Sequence, residues 1–165
     1  HPYLESTPNE LIYIAHNGSI NKKRLGRELG INAERMVDSE LIGKYIALNG
    51  LSEGTLKKLK PYVKENSALN LLILRIPRGV SEPPRIYYYN HINHGEDEEH
   101  KNDNTEYYKL YYRRYNNGIA VFSSSLASPK LNKPCKADGK VKQGELTDLE
   151  ELIKLIKLKA FHYTM

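Results

Sequence analysis

The chain has 165 residues, with 25 Lys and Arg against 20 Asp and Glu, a formal charge of +5 and a pI near 9.1. That is the length of one domain, residues 1–165, and enough to bury a core; the positive excess is mild, spread along the chain, and specifies no polyanionic partner. A single cysteine excludes an internal disulfide framework, and no apolar stretch approaches the roughly eighteen residues a membrane helix needs, so a soluble cytoplasmic protein with no membrane partner is expected.

The chain opens His1-Pro2-Tyr3, and Glu10 to Ala15 (ELIYIA) follows as an apolar run long enough for a buried strand. It enters His16-Asn17-Gly18, where the Asn-Gly pair predicts a tight turn. Asn21 can cap a helix across Lys22 to Leu29, ended by Gly30, with Leu25 and Leu29 on one face. Asp38 or Ser39 can cap a second helix whose apolar stripe is Leu41, Ile42, Tyr45 and Ile46, and Asn49-Gly50 ends it. Ser52 to Glu65 reads as a third, with Leu56, Leu59 and Val63 inward and a bend at Pro61.

The period then changes. Leu69 to Ile76 and Arg85 to Ile92 read as strands joined by a Pro- and Gly-bearing loop, and His94 to Thr105 as a solvated loop. Glu106 to Tyr115 and Gly118 to Ser124 flank Asn116-Asn117-Gly118, a hairpin signal. Ser128 to Val141 is irregular. Thr147 can cap a last helix, Asp148 to Leu158, and Phe161 to Met165 adds a final strand. Helices segregated from hairpin-linked strands predict an α+β layered domain rather than alternating βαβ units. The Lys- and Glu-rich balance, with thirteen Tyr and no Trp, fits an intracellular thermophile protein.

Three stretches together carry a resemblance. His1-Pro2-Tyr3, the strand ending Ala15-His16-Asn17-Gly18-Ser19-Ile20, and Asp38-Ser39-Glu40 opening a helix resemble the type-2 glutamine amidotransferases, of the N-terminal-nucleophile hydrolase superfamily, in order and in spacing. Gly118 to Leu126 is a looser match to a later core strand. The resemblance implies a four-layer αββα sandwich, here incomplete at its N-terminus. It also implies the glutaminase half-reaction, in which a cysteine attacks the side-chain amide of L-glutamine and a thioester is hydrolysed to glutamate after ammonia leaves.

By the same resemblance Asn17 and Gly18 form the oxyanion hole, Asp38 binds the substrate's α-ammonium, and His1 and His16 are supporting positions. The chemistry fits those residue types. A tetrahedral oxyanion needs preorganised donors about 3 Å away, and glycine lets the backbone approach closely. No metal or organic cofactor is implied. The implied partners are L-glutamine and either an ammonia-accepting synthase or a missing N-terminal segment.

The chain departs from that pattern at its first residue. The family's nucleophile is an N-terminal cysteine whose α-amine serves as base, whereas position 1 is His. Cys135 falls in the irregular stretch and is not expected to attack. With no Met at its start, the chain is expected to be the portion of an amidotransferase downstream of its nucleophile; a degenerate interaction module that no longer cleaves glutamine is the alternative. Two other clusters carry plainer readings. His91, His94 and His100 with Glu96, Asp97, Glu98 and Glu99 match no structural-zinc spacing and read as part of a solvated loop. Tyr107 to Tyr115 (YYKLYYRRY) interleaves rings and cations as single-strand nucleic-acid binders do. The preferred reading is a half-buried strand with Tyr inward and Lys and Arg in water, so no nucleic-acid partner is expected.

Overall fold

A computed structural model describes residues 2–79, 82–95, 107–115, 118–127, 130, 134–151 and 154. Within them helices and antiparallel strands are segregated, an α+β arrangement. Strands β1 (Tyr3–Ser6) and β2 (Glu10–Gly18) come first, then helices α1 (Lys22–Glu28), α2 (Asp38–Asn49) and α3 (Glu53–Leu59) and a 3-10 turn (Lys60–Tyr62). Strands β3 (Ser67–Pro77), β4 (Arg85–Asn93), β5 (Leu110–Tyr115) and β6 (Gly118–Ser123) follow, then the single turn α4 (Ser124–Ala127) and the short strands β7 (Gly139–Lys140) and β8 (Leu146–Asp148).

Five strands form one sheet in the order β1-β2-β3-β4-β8, and three form a second in the order β6-β5-β7. Alternation along β2 sends Ile12 and Ile14 to one face and Tyr13 and Ala15 to the other. Register carries the split across the sheet: Ile14 faces Ile73, His16 faces Leu71 and Leu71 faces Tyr89 on the first face. That face is covered by the helices. Leu25, Leu41, Ile42, Ile46, Leu56 and Leu59 join Ile12, Ile14, Leu69 and Ile73 in one fully buried cluster. Each such side chain stabilises the fold by about 1.5–3 kcal/mol.

The three helices sit where the apolar periodicity places them. Asn21 caps α1 by accepting from the Arg24 N–H at 3.1 Å, and Ser52 caps α3 by accepting from Thr55 at 3.0 Å. Pro61 falls in the 3-10 turn where α3 tightens and stops. Three local expectations are corrected. Asp38 is the first helical residue of α2 rather than its cap, because the Glu40 carboxylate reaches back to the Val37 N–H at 2.9 Å and fixes the helix start one residue earlier. Asn17 and Gly18 make no hairpin: they are the last paired residues of β2, opposite Asn70 and Leu69, and the chain turns only afterwards. Thr147 lies inside β8; Asp148 accepts from the Glu150 N–H at 2.9 Å and starts the helical residues 149–151. The rest of the expected final helix and the strand from Phe161 lie outside the described residues, as do His1, the Asn116-Asn117 turn and the segment from Glu96 to Glu106. No helix among the described residues is long and apolar enough to cross a membrane.

Candidate functional site

The corner where β2 ends is built around one backbone constraint. Gly18 has φ of 141°, a conformation L side chains rarely adopt, and a Cβ there would overlap the Ala68 carbonyl oxygen. Only glycine fits.

Beyond it the chain is tied down on both sides. The Ser19 N–H donates to Ser67 Oγ at 2.8 Å, the Ile20 N–H to Asp38 Oδ2 at 3.2 Å, and the Asn21 N–H to the Tyr62 carbonyl at 2.7 Å. Lys64 N–H closes the loop onto the Ser19 carbonyl at 3.0 Å. Gly18 and Asp38, twenty residues apart in sequence and expected to serve one substrate, are thus brought to one corner. The other Asp38 oxygen, Oδ1, accepts from the Ser39 N–H at 2.9 Å. Beyond the cap or ligand-binding part expected of it, Asp38 couples the start of α2 to the end of β2 through its bond with Ile20.

His16 reinforces the same junction. Its Nε2 lies 3.4 Å from the Ala68 carbonyl, which can only accept, so Nε2 carries the proton and donates. In the neutral ring Nδ1 is then left to accept from the buried Ser39 hydroxyl at 3.2 Å. Burial pushes the His16 pKa below the ordinary histidine value, against the opposing pull of the nearby Asp38 charge and the hydrogen bond to Ala68. His16 is a clamp across β2, β3 and α2.

Asn17 differs from its neighbours. Its side chain is exposed and makes no hydrogen bond among the described residues, so both amide donors are available. It opens a row of three carboxamides across the sheet, Asn17 beside Asn70 beside Asn90. The two inner members are buried and satisfied: Asn90 Nδ2 donates to Asn70 Oδ1, and Asn70 Nδ2 donates to the Tyr108 carbonyl at 2.7 Å. No sequence signal pointed to that row, because its members are 53 and 20 residues apart and meet only through strand register.

A cavity of about 240 Å³ lies where the two sheets face each other beside this row. His16, Asn17, Asn70 and Ser123 supply its polar edge, and Ala15, Leu72, Tyr88, Leu110 and Val121 its apolar walls. It is smaller than sites that take drug-sized ligands, about 300–1,000 Å³, and suits a smaller molecule. A larger groove of about 490 Å³ between α1 and residues 31–34 holds none of the corner residues.

Cys135 is exposed, in the segment between α4 and β7, with its N–H donating to the Leu126 carbonyl at 2.7 Å. Of the His- and acid-rich cluster expected to be a solvated loop rather than a metal site, His91 lies on β4 and His94 just beyond it, while Glu96 to His100 fall outside the described residues. Comparison with protein-family models, with curated proteins and with solved structures finds no match to this chain.

Proposed function

We propose that the corner at Asn17-Gly18 is an oxyanion site for glutamine amide hydrolysis, the ammonia-releasing half-reaction of a type-2 glutamine amidotransferase. The observation that carries this reading is the contrast between a backbone immobilised around Gly18 and an adjacent Asn17 amide left with free donors at the mouth of a small cavity. A developing oxyanion requires a donor set beside it, and the tied-down backbone at Gly18 fixes where the Asn17 side chain starts.

In this reading a cysteine contributed by a segment outside these 165 residues attacks the glutamine Cδ. Charge builds on the amide oxygen, and the Asn17 Nδ2–H donates to it. The C–N bond then breaks as the nitrogen takes a proton and leaves as ammonia, and water hydrolyses the thioester to glutamate. Asp38, half-buried with a lone pair remaining on Oδ2, holds the substrate α-ammonium. Cys135 takes no part. The fold accords with a four-layer αββα sandwich: helices cover one face of the five-stranded sheet and the second sheet begins to cover the other.

The test is ammonia release from L-glutamine by the protein at full natural length and by the 165-residue chain alone. Release by the first and none by the second is expected. Turnover by the 165-residue chain alone would overturn the division of labour proposed here, and none by either would remove the activity. In the active form, Asp38→Asn should raise KM for glutamine more than it lowers kcat.

A further inference from the structure

The second sheet has an outer face that the corner chemistry does not use. Leu110, Val121, Phe122 and Ser123 line the cavity, and alternation along β5 sets Tyr111, Arg113 and Tyr115 on the face opposite Leu110. Register places Phe122 beside Tyr111 on one side and Lys140 on the other. The side chains agree: the Tyr111 and Phe122 rings are stacked with centroids 6.4 Å apart, the Lys140 ammonium lies 5.9 Å from the Tyr111 ring centre, and the Arg113 guanidinium lies 5.2 Å from that of Tyr115. This differs from the arrangement expected from sequence, with Tyr inward and cations in water. Rings and cations share this face, and on the other Arg114 lies 5.9 Å from the Tyr112 ring centre.

Charge marks this face further. Neither Arg113 nor Lys140 has a carboxylate partner among the described residues, and the acid beside them, Asp138, is taken by Arg114, accepting from its backbone N–H at 2.7 Å. Tyr115 is 57% exposed, leaving much of its surface open to a ligand. Three aromatic rings interleaved with two unneutralised cations on a sheet surface offer flat groups a stacking surface and phosphates a counter-charge.

We propose that the outer face of the β6-β5-β7 sheet binds single-stranded nucleic acid, with bases stacked on Tyr111, Phe122 and Tyr115 and phosphates paired with Arg113 and Lys140. The inference is independent of the amide-hydrolysis reading. Bases stack on aromatic rings whatever their sequence, so the site is expected to show little sequence preference. Two phosphate contacts make it a weak, salt-sensitive site.

The test is fluorescence anisotropy of a labelled oligouridylate and a labelled oligothymidylate titrated with the full chain at several salt concentrations. Binding at low salt is expected, with a log–log salt slope of about −1.4 for two phosphates at about −0.7 each. Arg113→Gln should flatten the slope to about −0.7, and Tyr111→Leu should weaken binding about tenfold without changing the slope. Lys140→Gln alters an exposed side chain and checks the charge term even where Tyr111→Leu disturbs the sheet. Binding of either oligonucleotide with these responses supports the site, and the ratio of the two affinities says whether RNA or DNA is preferred. No anisotropy change at low salt, or binding indifferent to both charge variants, overturns it.

Discussion

Tyr89 is fully buried on the helix-covered face of the sheet, and its hydroxyl has no hydrogen-bond partner among the described residues. Burial, with a smaller contribution from the Glu53 charge, pushes its pKa up to about 12. An unsatisfied buried hydroxyl carries a desolvation penalty, so Tyr89→Phe should stabilise the protein by about 1 kcal/mol, read as a higher thermal midpoint. Gly18 gives the opposite case. Gly18→Ala must place a Cβ on the Ala68 carbonyl and hold a strained φ, and should destabilise the fold by about 3 kcal/mol or more in denaturant titration. That a glycine belongs at 18 was legible in the sequence, but the reason was not. Asn-Gly suggested a local turn, whereas the constraint is a carbonyl fifty residues further on.

The junction of β2, β3 and α2 is held by His16 through Ser39 and the Ala68 carbonyl, with Asp38 tying α2 to Ile20. Because burial depresses the folded-state pKa of His16, the unfolded chain binds more protons than the folded one just below pH 6.5. Stability from this group is therefore complete above the unfolded value and lost as pH falls through the depressed folded value. His91, also depressed by burial and by Lys60 and His94, acts in the same direction. Unfolding midpoints measured from pH 7.5 downward should fall in the parent, and fall less steeply in His16→Gln. Equal slopes in the two proteins would show that His16 does not carry the effect. Helices α2 and α3 and the long strands β2 to β4 were readable from their runs of apolar residues, and α1 from its Asn21 cap and Gly30 stop. Strands β1, β7 and β8 were not, since two to four residues give alternation too little length to register. In β8 the Thr147-Asp148 pair also looks like a helix start.

At the scale of the whole molecule, the reverse face of the large sheet is only partly covered among the described residues. Leu4 and Leu72 are 48% exposed and Ile86 42%, while the second sheet covers the end that carries the Asn row. In the proposed sandwich this open face receives further strands. Leu72→Lys should then change the stability of the 165-residue chain by less than about 0.5 kcal/mol, yet destabilise the full-length protein by about 2 kcal/mol. Equal small effects in both would count against a continued sandwich. The sequence carried the corner's parts, Asn17, Gly18 and Asp38, but not the cavity, which forms from β2, β3, β4, β5 and β6 at once. The most direct measurement is the rate of ammonia release from glutamine by full-length protein carrying Asn17→Ala. A fall in kcat of about 10²–10³ with unchanged KM and unchanged thermal midpoint is predicted for a lost oxyanion donor. A kcat within about threefold of the parent would contradict an oxyanion role for Asn17.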